Sequence, residues 1–113
     1  MSATPGIPAA EALRLTSLIP YTEGGIASRV IGRSRGGNVT LFSFDARQGL
    51  TEHTSPYDAL VAVLDGTLLV TVRGTRVRAT AGSLVRIPSN APHSLEAPQR
   101  AKMMLILLRG RKT

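Results

Sequence analysis

Apolar and polar residues alternate in short runs along this chain, with no sustained recurrence every three or four positions. In residues 39–45, Val39, Leu41 and Ser43 share one face and Thr40, Phe42 and Phe44 the other, as the two-residue period of a strand requires. Strands are also expected over residues 26–31, 58–64, 67–72, 75–80, 83–87, 93–96 and 101–109. Breaks separate them at Gly36–Gly37–Asn38, Asp65–Gly66, Arg73–Gly74 and Ala81–Gly82, and a loop at residues 88–92 carries two prolines. Asp65–Gly66 reads as a hairpin turn with residues 67–72 as its return strand. Turns at this spacing are the mark of an all-β barrel or sandwich. The run from Met103 to Leu108 is apolar throughout; its shortness and β neighbours make it a strand. Residues 13–19 alternate imperfectly, and Pro20 blocks a central strand there. Residues 1–12 read as a flexible N-terminal arm, and residues 13–113 as one domain.

Residues 58–64 are apolar on both faces. Ala59, Val61 and Val63 point one way; Leu60, Ala62 and Leu64 point the other. The outer face of a small barrel should be polar, so something must cover the second set. A chain of 113 residues has few spare elements, which leads to the expectation of a homodimer; residues 13–31 are the alternative cover.

With only 4% aromatic residues and no tryptophan, the core must be built from Val, Leu, Ile, Ala and Met. The absence of cysteine excludes disulfides and thiolate metal sites. No basic start followed by an apolar run opens the sequence, and no stretch approaches the roughly 20 apolar residues of a membrane helix. A soluble, cytoplasmic protein with no membrane partner is therefore expected. The net charge is +7, and twelve of the fourteen basic residues are Arg. They are scattered apart from Arg109, Arg111 and Lys112, with no aromatic residues interleaved for base stacking, so a solvated basic surface is preferred to a nucleic-acid site. Arg33 with Arg35, and Arg76 with Arg78, stand at strand spacing and could form anion-attracting stripes.

Two segments carry the candidate chemistry. Residues 49–66 read GLTEHTSPYDALVAVLDG, and residues 82–93 read GSLVRIPSNAPH. His53 lies thirteen residues before Gly66; Pro88 lies six after Gly82, and His93 five after that. These are the only histidines in the chain. The pair of segments resembles the two motifs of the cupin superfamily, as found in small single-domain bacterial members, over about residues 39–108. The resemblance implies an antiparallel jelly-roll, or double-stranded β-helix, barrel. It also implies a mononuclear Fe, Mn, Ni, Cu or Zn held by three histidines and a glutamate. Here Ser55 stands at the second histidine position and Ala59 at the glutamate position. The metal ligands reduce to His53 and His93, a pair expected to hold a divalent transition metal weakly or not at all, since stable catalytic sites use three protein ligands.

Three readings follow. In the first, the barrel binds a small molecule, with His53, Ser55 and His93 as polar contacts in a pocket walled by Ala59, Val61, Val63, Val85 and Ile87. In the second, it is a metal-dependent cupin enzyme of dioxygenase or isomerase type, with a third ligand from Gln48, Glu52 or Asp58. Asp58 would need a bulge to turn inward. In the third, the basic surface makes it a nucleic-acid-binding or regulatory module. Arg47, near the expected mouth in sequence, is a candidate receptor for a carboxylate or phosphate.

Overall fold

A computed structural model describes residues 6–110. The first five residues of the expected arm, and Arg111 and Lys112 of the basic tail, lie outside them. Among the described residues nine strands form two antiparallel sheets: β1 (Ile26–Ser34), β2 (Gly37–Phe44), β3 (Gly49–His53), β4 (Asp58–Asp65), β5 (Thr67–Val72), β6 (Thr75–Thr80), β7 (Leu84–Ile87), β8 (His93–Glu96) and β9 (Ala101–Leu108). The first sheet has the order β1-β2-β9-β4-β7 and the second β3-β8-β5-β6. The all-β jelly-roll expectation holds. No helix among the described residues is long and apolar enough to cross a membrane.

Two turns differ from the sequence reading. Asp65–Gly66 is not a hairpin. β4 belongs to the first sheet and β5 to the second, so the chain crosses between layers there. Gly66 has φ +73°, and a Cβ at that position would collide with the Arg100 carbonyl. A glycine is needed because the crossing backbone lies directly on the start of β9. Likewise Ala81–Gly82 carries the chain from β6 back to the first sheet. Arg73–Gly74 is a true hairpin: Val72 faces Thr75, and both turn residues have positive φ, the twist that a two-residue loop needs. The first hairpin turns at Arg35–Gly36, one residue earlier than the Gly-Gly-Asn break suggested, because Ser34 already pairs with Gly37. Arg35 thus lies beyond the strand and shares no face with Arg33.

Between the sheets, Ala59, Val61 and Val63 of β4 are buried against Met103 of β9, Ile87 of β7, and Leu68, Val70 and Leu95 of the second sheet. Strand alternation chose this face correctly. One half of the interior is filled: Phe44, Leu68, Ala79, Ala97 and Ala101 are buried at 0–2% exposure, beside the crossings at Gly66 and Gly82.

On the outside of the first sheet, the segment before β1 lies across part of the surface. A short 3-10 turn, Leu15–Ser17, rests against β4. Ser43 donates to the Pro20 carbonyl (2.8 Å), Arg29 to that of Leu18 (2.9 Å) and Lys102 to that of Thr16 (2.6 Å). Ile19 is buried, as is Leu41, which shares the outward face of β2 with Ser43. Leu60, Ala62, Met104 and Ile106, farther along this face, are only half-buried, and Leu84 is 60% exposed.

Candidate functional site

The other half of the interior is hollow. A cavity of about 110 Å³ is bounded by His53, Ser55 and His93 on one side. Its aliphatic wall comes from Leu50, Ala59, Val61, Ile87 and Leu95, and from Met103, Leu105 and Leu107, the inward residues of β9. Val63 and Val85, which the sequence placed in the pocket, do not line it. They share the inward face, but Val63 sits a step farther along β4, closed over at 2% exposure, and Val85 packs at the edge of the core.

β3 and β8 bring the two histidines together through an irregularity. Leu50 pairs with Leu95, but His53 pairs with His93, so Thr51 and Glu52 together face Ser94 alone. This is a β-bulge, with two residues opposite one. Regular alternation from Leu50 would have turned Glu52 inward and His53 to solvent. The extra residue reverses that phase. The ring centroids end 4.3 Å apart, with the planes inclined at 60°. His93 is buried at 6% exposure, whereas His53 is exposed at the mouth.

Each ring is anchored in the same way. The Nδ1 of His53 lies 2.7 Å from the Thr51 carbonyl, and that of His93 lies 2.8 Å from the Ala91 carbonyl. A carbonyl oxygen only accepts, so each Nδ1 must carry its hydrogen. In a neutral ring this leaves Nε2 with a free lone pair. Ser55 Oγ accepts from the Tyr57 backbone N–H (3.3 Å), which leaves its own hydrogen to donate.

The third-ligand candidates are elsewhere. Asp58 faces outward and accepts from Arg86 (3.2 Å) and from the Ser89 backbone N–H (3.1 Å). Glu52 is exposed within the bulge, and Gln48 precedes β3 at the end away from His53. Arg47 is at that far end too: its N–H donates to Ala97, which corrects its placement at the mouth. Among the described residues no three His, Cys, Asp or Glu side chains converge. The donor set is two imidazole nitrogens and a hydroxyl, with alanine where a carboxylate would be needed. It does not fit a firmly held transition metal.

The sequence reading missed Leu50, Leu95, Met103, Leu105 and Leu107. Leu95 was accessible, since it shares the face of His93 two residues away. β9 is apolar on both faces, so its pattern could not say which leucines face inward, and the bulge hid Leu50.

The model of the cupin domain matches residues 40–108, more than half of the chain and both histidine segments. The chain belongs to the cupin family. This cupin is similar over its length to a conserved protein of unknown function from Streptococcus pyogenes, at 28% identity and a TM-score of 0.91, covering 99% of this chain and 98% of the other. A cupin superfamily protein from Desulfitobacterium hafniense is 24% identical with a TM-score of 0.89, covering 96% of this chain and 100% of that one. A cupin 2 conserved barrel domain protein from Leptotrichia buccalis is 34% identical over 86% of this chain, with a TM-score of 0.82; the match covers 47% of its length. No curated protein matches the cupin.

Proposed function

We propose that this cupin binds a small molecule in the hollow half of its barrel, with His53, His93 and Ser55 as polar contacts and β4, β7 and β9 as aliphatic walls. The observation that carries the reading is the cavity itself. It is concave and mostly apolar, with three polar groups gathered on one side, as small-molecule sites are built. An Ala59→Phe variant tests it, because the added ring fills the space between Ile87 and Leu107, the neighbours of Ala59 on β7 and β9. In an NMR screen of small-molecule mixtures, binders should shift the Leu105 and Leu107 methyls of the native protein and lose affinity at least tenfold in the variant. Binders that shift only surface residues, or that ignore the variant, would reject the reading.

A metal-dependent cupin enzyme is the second reading. The observation in its favour is the pair of Nδ1–H to carbonyl bonds, the kind of contact that orients metal-bound histidines. Elemental analysis separates the two: a stoichiometric metal lost in His53→Ala would favour the enzyme. Nucleic-acid binding has less support, since Arg76, Arg86 and Arg100 are paired with Glu96, Asp58 and Asp45 (3.4, 3.2 and 2.8 Å) and most of the other basic residues are scattered along the sequence.

We also infer a homodimer, in a cytoplasmic setting, with the uncovered part of the first sheet against a second copy. Leu60, Ala62, Met104 and Ile106 carry no charge, and Arg86 at their edge is paired with Asp58. Two chains of charge +7 could meet there without opposing like charges. Light scattering at micromolar concentration should give twice the chain mass; a monomer would refute the dimer.

A further inference from the structure

The state in which the fold holds the two imidazoles restricts what can occupy the cavity. We propose that its ligand is a small neutral molecule with a hydrocarbon body and a hydroxyl or N–H donor, an alcohol or diol in the simplest case, and that the site discriminates against carboxylates and phosphates. The inference rests on the cavity being a binding site, and it specifies the chemistry of the occupant.

Three observations lead to it. First, both rings are anchored through Nδ1 by backbone carbonyls two residues earlier, at 2.7 and 2.8 Å. Side chains could rearrange to give the other tautomer; these carbonyls belong to the strand and loop backbone. Each neutral ring therefore offers an acceptor at Nε2, and the two acceptors belong to rings only 4.3 Å apart. Second, the remaining wall is aliphatic or thioether, and the lining residues include no Arg, Lys, Asp or Glu. An anion entering this space would shed its water and meet two lone pairs with no counter-charge. A cation would be accepted by the nitrogens but would lie in an apolar wall without a carboxylate. A neutral donor satisfies the nitrogens at neither cost, and the Ser55 hydroxyl can donate in return to the ligand's oxygen. Third, the volume is about 110 Å³, somewhat less than the roughly 150 Å³ of a cavity that holds benzene. That admits a compact body of a few carbons, and the exposed His53 at the mouth lets a longer one project outward.

The test uses three probes of similar size, n-butanol, butyrate and n-butylammonium, titrated into the 113-residue protein at about pH 8.5. Methyl shifts of Met103, Leu105 and Leu107 report entry, and the 15N shifts of the two Nε2 atoms report the hydrogen bond. Butanol should bind at least tenfold more tightly than either ion and move an Nε2 resonance. In His53→Phe, which keeps a ring at the exposed position, butanol should weaken about fivefold, as loss of one hydrogen bond predicts, while n-pentane entry is unchanged. Butyrate or butylammonium entering as well as butanol would overturn the ligand class and leave the pocket reading standing. Shifts in the cavity methyls by none of the three, nor by n-pentane, would overturn both.

Discussion

The two ends of the barrel use polar groups in opposite ways. At the filled end, bonding capacity is spent within the protein. Asp45 accepts from Arg100 Nε (2.8 Å), from the Gly24 N–H (2.6 Å) and from the Ala46 N–H (3.0 Å). Tyr21 donates to Asp65 (2.6 Å), and the cations of Arg100 and Lys102 lie over its ring. The consequence shows in the titration of both groups. The Arg100 hydrogen bond, then the two backbone donors, bring the Asp45 carboxyl down to about 2. Burial, and then the bond to Asp65, push the Tyr21 hydroxyl well above the usual phenol range. At the hollow end, each imidazole has one nitrogen bonded to the backbone and one held in reserve. A polar group that is saturated by its own chain supports the fold. One that is half saturated is positioned by the fold and still available to something else.

The contrast can be broken at either end. The largest effect is expected at the filled end from Gly66→Ala, where a side chain meets the Arg100 carbonyl in a backbone conformation that disfavours it. It should cost about 3 kcal/mol in urea-monitored unfolding. A change below about 1 kcal/mol would mean that the crossing tolerates displacement and that the end is less rigid than described. A smaller effect follows from Asp45. Its carboxyl titrates lower in the folded chain than in the unfolded one, so the unfolded state takes up the proton first as pH falls. Its contribution is complete above the ordinary carboxylate range near 4 and fades as pH drops toward about 2. Stability of Asp45→Asn should therefore fall less steeply than native over that acid interval, measured by chemical denaturation at stepped pH; parallel slopes would contradict the assignment. The smallest effect belongs to the open end. His53→Ala should change unfolding free energy by under about 0.5 kcal/mol, because the ring is exposed and bonded only to its own strand. A loss of 2 kcal/mol would show that this histidine serves the fold and would erase the distinction between the ends.

Much of this was legible in residue order, and the exceptions have identifiable causes. Alternation placed Ala59, Val61 and Val63 inside, because β4 pairs with β9 in regular register as far as Val63 and shifts only after it. It could not distinguish a hairpin from a crossing between sheets at Asp65–Gly66. Both need a glycine at positive φ, and the choice depends on partners far away in the chain. β3 escaped notice because Gly49–His53 is short, polar and bulged, so it has neither the length nor the period of a recognisable strand. The histidines were singled out by their spacing to Gly66 and Pro88, whereas their mutual geometry depends on pairing between β3 and β8. Depth was the least visible property: Val63 and Leu107 both face inward, yet only Leu107 borders the empty space.

The surplus residue in β3 has a consequence for how such a pocket persists over time. Loss of a single codon at Thr51 or Glu52 would leave one residue between Leu50 and the histidine, opposite Ser94, so regular pairing would remove the bulge and still turn the imidazole inward beside His93. The paired imidazoles can thus outlast the bulge that accompanies them, because the pairing of Leu50 with Leu95 and of His53 with His93 sets their phase.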